Sequence, residues 1–323
     1  METINSKLNE IKGLTQLPHI GKNYKGTHLL IVGESLYTDR KHKKEYKDKG
    51  KLKEIIKKNA IDKEVKLFKN LNRTIMGTEG GYNTQAIWEN VAYCEFVPRI
   101  MNYTYYAEQP TGKDFKDGKK IFERIIDILK PRCCLFLGVR AIDFLGGEKM
   151  DKRYNHVLAR QLDYKEVKCI AIKHPSSFFS WKKWSEFLVE NESIAKIIKK
   201  IRKDASADTF VKQHFNQKGK WEWSTETNYL IFREKTSDEN IDLYAEFDFN
   251  IMEMSYGFAV RNEKENGEET YKKLVDKHHK IEGKFQHCGY SDGWLLFSDD
   301  EFSYSNLNRK WQEIHKKLCK LLG

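Results

Sequence analysis

The chain has 323 residues, 39% apolar and 13% aromatic, with a net charge of +11. That content supports sizeable cores, and no apolar run approaches the ~18 residues with which a helix crosses a bilayer. The opening Met1-Glu2-Thr3-Ile4-Asn5 has no charged segment leading into an apolar one, so no secretory signal is expected and a cytoplasmic protein is.

The length predicts two domains, and the charge says where they part. Residues 1–205 carry 41 Lys and Arg against 26 Asp and Glu, whereas residues 206–323 carry 17 against 21. A basic first part predicts a polyanionic partner, most simply nucleic acid, whose phosphates dominate affinity. The acidic second part suits extensive phosphate contact poorly. We therefore expect one domain over 1–205 and an acidic α+β domain over 206–323.

In chain order, the first predicted strand is 28–32. Residues 41–58 follow with nine Lys and three acids, readable as a solvated loop and helix face or as a polyanion contact. A second strand is expected over 91–97, closed by Pro98, then a helix over 113–130 with Phe122, Ile125 and Ile126 on its apolar face. Pro131 separates it from a third strand, 133–137, and the fourth is 167–172. A single long helix is expected over 183–203. Strands alternating with helices predict an α/β fold with a parallel sheet. Beyond residue 205, strands are expected at 228–234, 242–249, 255–261 and 294–297, with helices near 268–281 and over 305–322. Trp221, Trp223 and Trp294 read equally as core or as a binding face. The acids of this domain, among them Glu246, Asp248 and Glu253, read as surface groups. No internal repeat, Gly-rich phosphate loop or Walker pattern is present.

The six cysteines, at 94, 133, 134, 169, 288 and 319, contain no C-x-x-C pair and read as reduced core thiols. No metal and no cofactor is expected.

Two polar turns stand at predicted strand ends, Gly33-Glu34-Ser35-Leu36-Tyr37 and His174-Pro175-Ser176. Ligands and chemistry collect at the carboxyl ends of parallel strands, so the pair marks a candidate site. The Gly33–Tyr37 turn, Asn90 before the second strand, the 129–141 segment with Lys130-Pro131 and Leu137-Gly138, and His174-Pro175-Ser176 follow one another in an order that resembles the uracil-DNA glycosylase superfamily. The resemblance covers about residues 20–205. It implies a three-layer sandwich around a four-stranded parallel sheet, and a DNA glycosylase that hydrolyses the N-glycosidic bond of a flipped uracil or modified base, in DNA repair or against a phage-type base. DNA is then the partner.

The same resemblance assigns roles. His174 would stabilise the departing base as an anion, and Asn90 would read its edge with one donor and one acceptor. Tyr37 would close the pocket beside it, framed by Gly33 and by Ser176 of the last motif. Phe178 and Phe179 would supply an apolar wedge or else anchor the next helix. Ser35 stands where the best-known branch has an Asp to position water, and Glu34 is the residue that could orient water instead. The branch whose first motif begins Gly-Glu carries an iron–sulfur cluster, but its amino-terminal Cys pair is missing here. The aromatic that stacks on the base falls to Phe68 or Tyr82. Glu34, Asn90 and His174 are expected to converge within ~10 Å on one pocket.

Two alternatives stay open. The domain could be a catalytically inactive nucleic-acid-binding module, delivering a C-terminal domain that binds a protein partner. Gly-x-Ser after a strand, with a late His, also loosely matches an SGNH esterase using Ser35 as nucleophile and His174 as base.

Overall fold

Apolar side chains at every position of a short run leave a strand no face for solvent, and four such runs build the centre of this protein. The computed structural model describes residues 2–39, 44–102, 108–150, 159–176, 178–215, 220–236, 241–261, 286–290 and 293–322. The contact pattern divides the chain into one unit of residues 1–79 and 84–204 and a second of residues 80–83 and 205–323.

The first unit is built on a seven-stranded sheet. His19–Ile20 (β1) forms one edge, antiparallel to Val91–Glu95 (β4). Leu29–Gly33 (β2) lies between β4 and Cys133–Leu137 (β6), parallel to both. Val167–Ile172 (β9) adds the fourth parallel strand beside β6. Arg160–Tyr164 (β8) and Glu148–Lys149 (β7) continue the sheet antiparallel. A small parallel pair, Tyr37–Thr38 (β3) with Met101–Asn102 (β5), stands apart. The sheet is thus larger and more mixed than the four parallel strands expected. Its antiparallel margin was hard to read because β8 alternates polar residues with apolar ones, as a half-solvated strand does.

One face of the sheet, including Leu30, Val32, Cys94, Cys134 and Phe136, packs on Phe115, Ile121, Phe122 and Ile125 of the Gly112–Leu129 helix. That helix begins with a reciprocal cap, Thr111 accepting from the Asp114 amide while the Asp114 carboxylate accepts from the Thr111 amide. On the opposite face Tyr93 makes edge contacts with Phe68 and Trp88. The single helix expected over 183–203 is two, Trp181–Glu190 and Glu192–Asp204. Asn191 divides them: its backbone is extended, and its side-chain oxygen accepts from the Ser193 amide as a cap for the second helix.

The second unit has a six-stranded antiparallel sheet. Its order is Trp221–Ser224 (β10), Tyr229–Lys235 (β11), Ile241–Asp248 (β12), Glu253–Arg261 (β13), Gly293–Glu301 (β15) and Gln286–Tyr290 (β14). Phe210 of the Ala207–His214 helix and Trp311, Ile314 and Leu318 of the Leu307–Leu322 helix share a core with Phe232, Phe247 and Phe258. Trp221 and Trp223 pack against that core, Trp221 on Phe215 and Phe232 and Trp223 on Phe249, so they are not a free face. The helix expected near 268–281 and the Trp294 side chain lie outside the described residues. Cys94, Cys133, Cys134 and Cys169 are buried free thiols. Cys319 is exposed rather than in the core, and the Cys288 side chain lies outside the described residues. Among the described residues, no helix is long and apolar enough to cross a membrane.

Candidate functional site

Strand register brings the site together. Gly33 pairs with Glu95, and Leu137 pairs with Ile172, so β2, β4, β6 and β9 end side by side at one margin of the sheet. The turns that leave these strands surround a cavity of about 680 Å3. Gly33, Glu34, Ser35 and Tyr37 line it from β2 and β3, Tyr93 and Glu95 from β4, Gly138 and Arg140 from β6, and Lys173 and His174 from β9. Phe68, Leu67 and Asn59 complete the wall.

Backbone bonds fix the first turn. The Phe96 amide donates to the Gly33 carbonyl at 2.9 Å and the Val97 amide to the Glu34 carbonyl at 2.9 Å. Farther on, the Met101 amide donates to the Leu36 carbonyl at 2.8 Å. A Cβ at position 33 would overlap Glu95 Oε2 and the Tyr93 hydroxyl, so any larger residue there displaces those two side-chain ends. Glu34 accepts from Arg140 Nη1 at 3.0 Å. Burial raises its pKa, with Arg140 pulling the other way. Arg140 also donates to Gln109 and to the Pro110 carbonyl, and lies over the Phe115 ring. Ser35 Oγ is buried with no hydrogen-bond partner.

The last turn is held as firmly. His174 Nδ1 lies 3.0 Å from Ser176 Oγ, and the Ser176 amide donates to the His174 carbonyl at 2.8 Å. Gly138, at φ 108°, adopts a left-handed backbone beside His174. His174 keeps solvent exposure, yet the surrounding walls desolvate it enough to lower its pKa, so the ring is neutral at pH 7. In the tautomer in which Ser176 donates to Nδ1, Nε2 carries the proton. Asn70 Nδ2 donates to the Pro175 carbonyl at 3.1 Å. Lys173 Nζ donates to the Phe178 carbonyl at 2.7 Å.

The two aromatics after this turn separate. Phe178 is 97% exposed, with a left-handed backbone at φ 53°. Phe179 stacks on Trp184 of the following helix, which makes it an anchor instead of a wedge. Phe68 lines the cavity, whereas Tyr82 falls in the second unit.

Asn90 overturns one expectation. It sits before the first residue of β4, at the amino end of the strand, roughly 16 Å of strand away from Glu95 at the carboxyl end. Its Nδ2 donates to the Ala86 carbonyl at 2.9 Å, so it caps the Thr84–Glu89 helix. Glu34 and His174 line one cavity; Asn90 is elsewhere, and the three do not converge. The esterase alternative also loses its geometry: Ser35 Oγ makes no hydrogen bond to His174, whose Nδ1 meets Ser176.

Among the cavity residues that the sequence reading did not assign to the site are Tyr93, Glu95 and Arg140. Glu95 had a visible signal: it is the polar residue that closes an apolar strand, on the same side as Tyr93 two positions earlier. Its Oε1 accepts from the Tyr93 hydroxyl at 2.8 Å, and its Oε2 is buried with no hydrogen-bond partner. Among the described residues, no group of three or more His, Cys, Asp or Glu is arranged to hold a metal ion.

No protein-family model matches this chain, and no curated protein matches it.

Proposed function

We propose that the first unit is a glycosylase of the uracil-DNA glycosylase type, which extrudes a nucleotide from DNA and hydrolyses its N-glycosidic bond. The observation that carries this reading is His174, oriented by Ser176 and with its pKa lowered by burial, lining one cavity with Glu34, which follows the strand next but one in the sheet. Nε2–H of His174 donates to the oxygen where charge gathers as the base departs. Glu34, whose ionised form Arg140 favours against burial, orients the attacking water, the task for which Ser35 lacks basicity. The remaining wall is mostly apolar, suited to a flipped base. Phe178 is the wedge that fills the gap left in the stack. Four parallel strands with a helix on one face and Phe68 and Trp88 on the other support the three-layer arrangement. The basic balance of residues 1–205 supports DNA as the partner. The second unit is a candidate interaction domain for a protein partner.

The test is incubation of the full chain with DNA carrying uracil, hypoxanthine or modified cytosines, read out as abasic sites. Abasic sites that vanish in His174→Ala, with DNA affinity kept, support the enzyme. Binding without cleavage of any substrate turns the reading into that of a nucleic-acid-binding module.

A further inference from the structure

With Asn90 at the far end of β4, the proposed site lacks the amide that would recognise the base. The carboxyl end of the same strand carries Glu95 instead, on the cavity wall. We infer that Glu95, in its neutral form, reads the pairing edge of the flipped base. This rests on the glycosylase reading of the cavity.

The geometry leaves the carboxyl without a counter-charge. The titratable and charged groups around the cavity are Tyr93 and Cys94 on the strand of Glu95 itself, Glu34 and Tyr37 after β2, Tyr46, Arg140 after β6, and Lys173 and His174 after β9. Arg140 is engaged by Glu34, Gln109 and Pro110, and Lys173 by the Phe178 carbonyl. His174 is neutral, and Glu34 adds like charge. A buried carboxylate so placed carries an uncompensated charge, which protonation removes. Burial accordingly pushes its pKa up to about 8; Glu34 reinforces the rise and the Tyr93 hydrogen bond opposes it.

The Tyr93 hydroxyl also decides where the proton sits. It donates to Oε1, which is therefore the carbonyl-like oxygen, and the proton resides on Oε2, the atom with no partner. A neutral carboxyl then offers one donor and one acceptor on a rigid plane, as a primary amide does. Every nucleobase pairing edge sets a donor beside an acceptor, so the group can meet two base atoms at once. Ionised, it offers acceptors alone and the match is lost.

The experiment measures binding without turnover. DNA containing a 2′-fluorinated uridine, cytidine or 5-hydroxymethylcytidine, which resists hydrolysis, is compared with DNA carrying a tetrahydrofuran abasic analogue, by fluorescence anisotropy of the full chain. Wild type should prefer at least one base-bearing DNA by about tenfold or more at about pH 7 and lose that preference as pH rises past about 8. Glu95→Gln, a non-titrating mimic of the neutral acid, should keep the preference to about pH 9, and Glu95→Ala should lack it. Equal behaviour of the Gln and Ala variants, or a wild-type preference that ignores pH, overturns the inference. Base preference as expected, with no abasic sites on the unfluorinated DNA, overturns the glycosylase reading and leaves the role of Glu95 standing.

Discussion

Arg140 Nη1 donates to Glu34 Oε1 at 3.0 Å, so the turn that ends β6 and the turn that ends β2 are joined by a charge pair in the cavity wall. Burial drives Glu34 toward its protonated form, and the Arg140 guanidinium opposes it. In Arg140→Gln the Glu34 pKa therefore rises further. Glu34 is needed ionised, so the acid limb of the pH–rate profile should move to higher pH. Activity should fall about tenfold at about pH 6 and less at about pH 8. A limb that stays in place would show that Arg140 does not set the charge of Glu34.

His174 is neutral because desolvation lowers its pKa from the ordinary 6.5. His174→Ala should cost about 100-fold to 1000-fold in turnover, the range seen when one oxyanion donor is removed. The loss should be the same at about pH 7.5 and about pH 8.5, since a ring whose pKa is lowered from its ordinary value is neutral at both. Ser176→Ala frees the tautomer and should cost about tenfold without changing DNA affinity. Single-turnover rates and a binding isotherm on the same DNA check both variants.

At Gly33 there is no room for a methyl group, because Glu95 Oε2 and the Tyr93 hydroxyl occupy it. Gly33→Ala should lower stability by about 1–3 kcal/mol, measured by urea unfolding. Combined with Glu95→Ala, the total should be smaller than the two separate costs, because one of the colliding groups is then absent. Strict additivity would mean that the backbone, and not the carboxyl, resists the substitution.

Phe178 combines near-complete exposure with a left-handed backbone, which glycine adopts more readily. Phe178→Gly should therefore raise stability by about 0.5–1 kcal/mol. If the ring is the wedge, the same change should slow cleavage of duplex DNA by about tenfold and leave single-stranded DNA nearly unaffected. A variant equally active on both forms assigns Phe178 no part in extrusion.

Glu95 also makes stability depend on pH. Its pKa is about 8 in the folded chain against an ordinary 4.5, so the folded state holds a proton that the unfolded state has lost between those values. Stability is full at low pH and declines as pH rises from about 4.5 to about 8. Glu95→Gln cannot ionise. It should match wild type at about pH 5 and melt at least ~5 °C higher at about pH 8.5. Identical melting curves at the higher pH would show that Glu95 ionises as easily in the folded chain as outside it.

The central strands were readable because a strand buried on both faces has to be apolar throughout, as Leu29–Gly33 and Cys133–Leu137 are. The turns after β2 and β9 followed from those strands. Asn90 was misplaced for an equally physical reason. A strand that starts right after a residue cannot deliver that residue to its carboxyl end, and Val91–Glu95 begins there. Period-two alternation would have pointed to Tyr93 and Glu95. Arg140 was invisible because its partner, Glu34, lies 106 positions earlier in the chain. The break at Asn191 needed a side-chain cap that a count of apolar residues does not register.

The Lys66–Met76 helix carries Phe68 into the cavity wall and, two residues on, Asn70 to the Pro175 carbonyl. One rigid rod therefore feels whatever enters the cavity and also grips the peptide that follows His174. The two sides of the site thus share one support, since the helix that walls the cavity with Phe68 also holds the peptide carbonyl next to His174.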